Sequence, residues 1–562
     1  MLQLVMGRAG TGKTTMILDQ AIESARMGQY VMLIVPEQFS FETEKAIYTT
    51  LHGSDAMRMD VLSFSRLAEN IFRTYGGLAR KRLNDMSRLV LMKLALKETA
   101  DNLQVYQRQS DKTTFVTTML ETVEELKSSG TVPWQLQEVA NQAQSAHLKA
   151  KLKDISLIYE AYQAIIDRDY EDPLDDIAKA SRLTCEKNFF AGKTIYIDGF
   201  DFFSPPEREL IQNMMIQAWQ ITVALSADGL EYRGETDIFL SQKRTAHQLI
   251  TFARANGISV KSPVMLTEII RTSSQALHSV EALLRGENPD PALDVQGIKL
   301  VLCSQKYEEA RFAAAQIHAL VREKRMRYRD FAVVCRNMDD YELPVSEAFA
   351  DYKIPIFYDK KESAMTQPIA VTAMAALDAV RGTYKTEAIL KLARSPALGL
   401  NAHQVAKLEN YCYVWTVEGK SWLEPFRNDP AGISGAAPES YREELSEIET
   451  IRKTLIKPLS TLKKSLSGCD GRGFVLGLYE YLETVHALDN LRNYFTSEYP
   501  DDDTFIQHND ALWGMMVDIM DLFCDTLGQV RYPVSVFTEL FGLALSCAEL
   551  GSIPNTLDQA IV

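Results

Sequence analysis

Residues 1–15 read MLQLVMGRAGTGKTT, an apolar strand that runs straight into Gly7, Gly10, Thr11, Gly12, Lys13, Thr14 and Thr15 and then into a helical pattern. The spacing is GxxxxGK[ST], and the chemistry explains it. Glycines let successive backbone N–H groups close around phosphate oxygens, a lysine reaches the β and γ phosphates, and the following hydroxyl ligates Mg²⁺. Average residue usage gives a chance match roughly a few per cent of the time in a chain this long, before the strand and helix are also required. The stretch is therefore read as a phosphate-binding loop for ATP and Mg²⁺, with Gly7, Gly10, Thr11, Gly12, Lys13, Thr14 and Thr15 as the binding residues. A plain glycine-rich turn is the competing reading.

Working outward, the pattern alternates strand and helix. A helix from Thr14 to about Met27 is closed by Gly28; YVMLIVP, a helical stretch around Glu42 to Thr50, and MDVLSF follow. Continuous apolar strands of this kind belong to parallel sheets covered on both faces. A helical region occupies about 75–185, where Ile155, Ile158, Tyr159, Tyr162, Ile165 and Ile166 form an amphipathic stripe. KTIYIDGF and QITVALSAD then add strands to the first sheet, so 75–185 reads as an insertion in one α/β domain spanning 1–285. The acidic, proline-bearing GENPDPALDVQ from Gly286 marks a boundary. Beyond it GIKLVLC, DFAVVC and IPIFYD read as strands of a second α/β domain, 286–562, with a helical insertion at about 385–548. SIPNTLDQAIV resembles a chain returning to a sheet, and the sequence is expected to be a truncated portion of a longer protein.

With 562 residues, the chain has room for roughly three or four domains at about 150 residues each. Its 46% hydrophobic, 24% charged and 9% aromatic residues match ordinary globular proteins and exclude disordered, collagen-like and low-complexity classes. No run approaches the length of a membrane span, and the first residues lack the pattern of a secretory signal. The seven cysteines (Cys185, Cys303, Cys335, Cys412, Cys469, Cys524 and Cys547) are far apart, with no CxxC or Cys/His metal spacing. They read as reduced thiols in a cytoplasm, with no iron–sulfur cluster expected. The net charge of −15 argues against a generic nucleic-acid binder, yet it is uneven. Residues 1–100 carry 13 Lys/Arg against 10 Asp/Glu, or +3, whereas 401–562 carry 12 against 24, or −12. A phosphate-tracking surface on the first domain remains open, because binding follows the local field.

A phosphate loop that hydrolyses ATP also needs an acidic residue at a neighbouring strand end for Mg²⁺, and in helicases a following glutamate that orients water. In Ile195-Tyr-Ile-Asp198-Gly199-Phe200-Asp201, Asp198 fits the Mg²⁺ role, with Thr14 as its companion, but Gly199 stands where the glutamate would be. Glu207 belongs to Ser204-Pro-Pro-Glu207, a capping box with proline at the first helical position. Asp201 is the alternative base, with its side chain expected to point elsewhere. No catalytic residue is assigned, and nucleotide binding with impaired hydrolysis is expected.

In their order, GRAGTGKTT, LIVPEQFSFETEKAIY, VLSFSRLAENIFRTYGG, YIDGFDFFSPPERELI, YEEARFAAAQIHALVREKRMRYRDFAVVCRN and IPIFYDKKESAMTQP resemble the AddB family, the B subunits of AddAB (RexAB) helicase-nucleases, through nearly the whole chain. The resemblance implies two RecA-like, superfamily 1 helicase-like domains, each with a large helical insertion. It also implies a half that has lost motor function and scans single-stranded DNA for the Chi hotspot in double-strand break repair by recombination. The partner, AddA (RexA), supplies translocation from duplex ends. The nuclease domain and iron–sulfur cluster of the family have no matching residues here, so neither activity is carried over.

Ligands gather at the carboxyl ends of parallel strands. The loops after them therefore carry the candidate DNA contacts: Gln38 and Ser40 after YVMLIV, Phe64 and Arg66 after MDVLSF, Phe200 and Phe203 after TIYID. Phenylalanines stack on bases; Gln38 and Arg66 can discriminate among them. Core packing competes for each phenylalanine, and loop or cap hydrogen bonding for Gln38 and Ser40. Arg271 and Arg336 are read as ordinary surface or ion-paired arginines, with nucleotide contact across a cleft as the alternative. Two other functions stay open: an active ATP-dependent DNA translocase, and a phosphate-loop protein acting on a small molecule with the helical insertions as lids.

Overall fold

The computed structural model describes residues 1–53, 55–77, 80–110, 112–288, 297–357, 362–433, 439, 441–500, 504–550 and 558–561. The chain forms two compact units, one of residues 1–84 and 94–300, the other of 85–93 and 301–562. Most of the expected boundary segment, residues 289–296, lies outside the described residues.

The first unit is built on a six-stranded sheet. Its strands are β1 (Leu2–Gly7), β2 (Tyr30–Ile34), β3 (Met59–Leu62), β4 (Lys193–Ile197), β5 (Gln220–Ser226) and β6 (Val264–Leu266). They lie side by side as β3-β2-β4-β5-β1-β6, every pair parallel. Strand alternation sends Leu2, Leu4 and Met6 of β1 to one face and Val5 to the other. Both faces are covered: Met32, Ile34, Ile195, Ile197, Ile221 and Val223 join the first core, and Val31, Leu33, Tyr196 and Ala224 the second. Burial on both sides is why these strands read as unbroken apolar runs. The helix after the phosphate loop spans Lys13–Arg26 and ends at Gly28, whose φ is +86°.

Between β3 and β4 the chain runs through helices Asp85–Thr99, Thr113–Ser128, Pro133–Gln142, Ala146–Asp169 and Asp176–Lys187. The expected stripe of Ala146–Asp169 buries Ile158, Tyr159, Tyr162 and Ile166. A buried ion cluster ties this region together: Lys127 Nζ donates to Asp172 at 2.7 Å and to Asp175 at 3.0 Å.

In the second unit, helices Lys306–Lys324 and Glu342–Asp351 enclose a core of Ala310, Ala314, Ile317, Val345 and Phe349. A helical set follows from Pro368, with Phe523 and Phe537 stacked on Phe474, and Phe541 edge to face with Phe474 and Phe523. The strands expected here are mostly not formed. Ile356–Phe357 pairs in parallel with Ala560–Ile561, and Ala332 bridges Ile561, but residues 298–303 make no strand among the described residues. The physical reason lies in the cover: Leu300, Leu302 and Val334 are exposed, with no covering neighbour among the described residues, and an alternating apolar strand forms only where a second surface covers it.

Candidate functional site

The phosphate loop connects the carboxyl end of β1 to helix Lys13–Arg26. Gly10 and Gly12 sit at φ +77° and +85°, a backbone that L side chains rarely adopt, so the glycines set the loop's curvature. Gly12 occupies the N-cap and brings no side chain, and the first turn holds no acidic residue. The leading N–H groups of the helix are thus left without a side-chain acceptor, the donor set that suits phosphate oxygens. Thr11 is buried and turned inward, its hydroxyl donating to the Arg8 carbonyl at 2.9 Å. Lys13 Nζ donates to the Gly7 and Arg8 carbonyls, both at 2.9 Å, while Thr14 and Thr15 are exposed.

Three further charges act on Lys13. Burial lowers its ammonium below the ordinary lysine range; Asp198 opposes that fall, the Arg271 guanidinium adds to it, and Asp201 opposes it again. Arg271 arrives on the segment after β6, a strand that the sequence pattern did not indicate. Ile270 and Arg271 both donate backbone N–H groups to the Gly10 carbonyl, at 2.9 and 3.1 Å. Arg8 is held by Glu281 at 3.1 Å and by the Thr267 carbonyl at 3.1 Å. The β6 connection thus braces the loop. Its only sequence signal was the short VML run; Arg271 is exposed, as expected of a surface arginine, and its Cβ also lies against Gly10 of the phosphate loop.

Asp198 directly follows β4, nearly buried, with its N–H donated to the Ile34 carbonyl at 3.0 Å. Gly199 then turns at φ +86°, and a Cβ added there would sit 3.0 Å from Cδ of Pro36. Glu207 performs the capping the sequence indicated: Ser204 donates its N–H at 2.7 Å and its hydroxyl at 2.8 Å to Glu207 Oε2. Its carboxylate is occupied at a helix start. Asp201 remains exposed.

Phe200 and Phe203 lie in the loop after β4, as the sequence indicates, while the other four candidate DNA contacts are placed differently. Gln38 and Ser40 lie in the first turns of helix Glu37–Thr50, and Phe64 and Arg66 in the first turn of helix Phe64–Tyr75, not on loops. Ser40 is buried and back-bonds to the Glu37 carbonyl at 2.8 Å. Phe64 and Phe203, 3% and 6% exposed, pack edge to face with ring centroids 6.1 Å apart, and half-buried Phe200 joins them at 5.2 and 5.4 Å. These rings belong to the core beneath the loops. The exposed members are Gln38 and Arg66, the latter 3.7 Å from Glu44. Two rings absent from the sequence expectation face solvent beside them: Phe39, 46% exposed, and Phe202, 68% exposed. Phe202 sits between the two inward phenylalanines of FDFF; that pattern was the available signal.

Among the described residues, no group of three or more His, Cys, Asp or Glu side chains is arranged to hold a metal ion, and no helix is long and apolar enough to cross a membrane. For ATP with Mg²⁺ the donors at the loop fit: free helix N–H groups and Lys13 for phosphate, the Thr14 hydroxyl and Asp198 for the cation.

Residues 4–281 match the family described as ADDB, N-terminal. Curated relatives match nearly the whole chain: 27% identity to a protein of Clostridium perfringens (strain 13 / Type A), covering 99% of this chain and 50% of that one. A protein of Clostridioides difficile (strain 630) is 26% identical over 100% of this chain and 50% of its own length. One from Thermoanaerobacter pseudethanolicus is 27% identical over the same shares. All three are named as the B subunit of an ATP-dependent helicase/deoxyribonuclease. The chain spans about half the length of these relatives.

Proposed function

We propose, for a chain that belongs to the AddB family, that it is the helicase-like part of such a protein and that it binds Mg-ATP and single-stranded DNA while turning ATP over slowly. The observation that carries this reading is the pairing of an open phosphate loop with a sealed position 199. The helix N–H groups beyond Gly12 and the Lys13 ammonium would take the β and γ phosphates; the Thr14 hydroxyl and Asp198 would hold Mg²⁺, which supplies charge neutralisation at those phosphates. What is lacking is a base directly after Asp198. Gly199 has no carboxylate, and Glu207 is committed to Ser204.

Exposed Gln38, Phe39, Arg66 and Phe202 at the carboxyl ends of the strands support contact with single-stranded DNA, the rings by stacking and the polar groups by hydrogen bonding. Scanning for a Chi hotspot, partnership with an AddA subunit that supplies translocation, and work in the cytoplasm on double-strand breaks complete the proposal. An active translocase is the second reading, favoured by one observation: Asp201 is exposed and close enough to act on Lys13. Titration calorimetry with Mg-ATP tests the favoured reading. The parent chain should bind and Lys13→Ala should lose most of that binding, whereas equal affinity in both would remove the phosphate loop from the account.

A further inference from the structure

Helices Pro205–Gln217 and Leu240–Ala255 both cover the sheet of the first unit, and a groove of about 770 Å³ runs along them. Its chemistry differs from that of an ordinary helix seam. Arg208 and Gln212 are one turn apart on the first helix; Arg244, His247, Gln248 and Thr251 follow the i, i+3, i+4, i+7 spacing of one face of the second. Glu209 is the one carboxylate among the described lining residues, against two arginines. Arg208 is pre-oriented, its Nη1 donating to Gln248 Oε1 at 2.9 Å across the groove. At the wall, Tyr232 lies on the His247 ring with centroids 4.9 Å apart and planes at 32°, and His247 Nε2 donates to the Leu230 carbonyl at 2.9 Å. Tyr232 is half exposed, so one aromatic face of this pair meets solvent.

Cations spaced along a trough, side-chain amides and an exposed ring are the combination with which proteins follow a single strand without reading its sequence. Position supplies the second argument. Pro205, which lines the groove, is two residues beyond Phe203, so the trough begins where the strand-end loop with Phe202 stops. We infer that this groove is a second phosphodiester-binding site, receiving single-stranded DNA that has passed the strand-end loops. The inference rests on the DNA reading above and adds to it a site with a different role, in which Arg208 and Arg244 track the backbone and Tyr232 is a stacking platform.

The test is the salt dependence of binding between a fluorescent oligothymidylate and the full-length protein in complex with its partner. Each phosphate contact to a single strand contributes about 0.7 to the slope of log affinity against log salt. The Arg208→Gln, Arg244→Gln double variant should therefore lower the slope by about 1.4 and weaken binding on the order of 25-fold at 0.1 M salt. Glu209→Gln should act in the opposite direction and tighten binding, a result that loss of packing would not produce. If the double variant keeps the parent slope while Phe202→Ala still weakens binding, the groove is off the DNA path and the inference is overturned. If the parent complex binds oligothymidylate with no salt dependence, the DNA reading itself falls, and the groove with it.

Discussion

A carboxylate at position 199 would have to project from a backbone at φ +86° toward the Pro36 ring, whose Cδ lies 3.0 Å from the Cβ position. The departure from an Asp-Glu pair is thus built into the backbone, not only into the side chain. Gly199→Glu, the substitution that writes that pair back, should leave ATP turnover no faster than in the parent. It should also lower stability by about 1–2 kcal/mol, the cost of forcing an L side chain into a left-handed backbone, measured by denaturant unfolding. Lys13 carries the second prediction at this scale. Burial, its largest influence, holds its ammonium below the usual lysine range, so the charge that meets phosphate is lost at lower pH than for an exposed lysine. In the proposed function, protonated Lys13 is the binding form. Affinity for Mg-ATP should therefore be greatest on the acid side of that transition and fall as pH rises through it, and Lys13→Ala should remove this alkaline decline in a calorimetric pH series.

At the scale of elements, helix starts decide which candidate residues can reach a ligand. Pro36 caps a helix that begins at Glu37, five residues earlier than the periodicity around Glu42 indicates, and Ser63 caps the next by accepting the Arg66 N–H at 3.2 Å. Both are recognisable start signals, a proline with an acidic first turn and a serine N-cap. Periodicity alone did not expose them, because apolar spacing speaks for the middle of a helix and not for its first turn. Gln38 and Arg66 consequently stay exposed while Ser40 and Phe64 turn inward. The two classes of phenylalanine should separate by experiment. Phe202→Ala should weaken single-strand binding by about 1–3 kcal/mol with no loss of stability. Phe64→Ala should cost about 3–5 kcal/mol of folding stability, since it empties a buried site. Fluorescence anisotropy and thermal unfolding of both variants measure this; equal stability of the two would place Phe64 outside the core.

Over the whole molecule, the first unit was legible where local and long-range signals coincide. Val31, Leu33, Ile195 and Val223 mark buried parallel strands because both faces of the sheet are covered, and the phosphate loop lies between strand and helix as its glycines require. β6 was not legible, since three residues of VML carry too little pattern, and with it went the placement of Arg271 against Gly10. Where the first unit gives way to the second, GIKLVLC reads as a strand, yet Leu300 and Leu302 stand exposed without a paired strand among the described residues, a long-range condition that no local window contains. The proposed function follows the same division: the residues proposed for nucleotide sit in contiguous motifs, whereas the proposed DNA surface depends on which ring points outward. The central claim is that this chain binds Mg-ATP but hydrolyses it poorly. Steady-state phosphate release by the purified chain, with and without single-stranded DNA, tests it most directly. The expected result is a slow rate that DNA does not stimulate, in a chain that still binds Mg-ATP; robust DNA-stimulated release, abolished by Lys13→Ala, would contradict it and make the chain a motor.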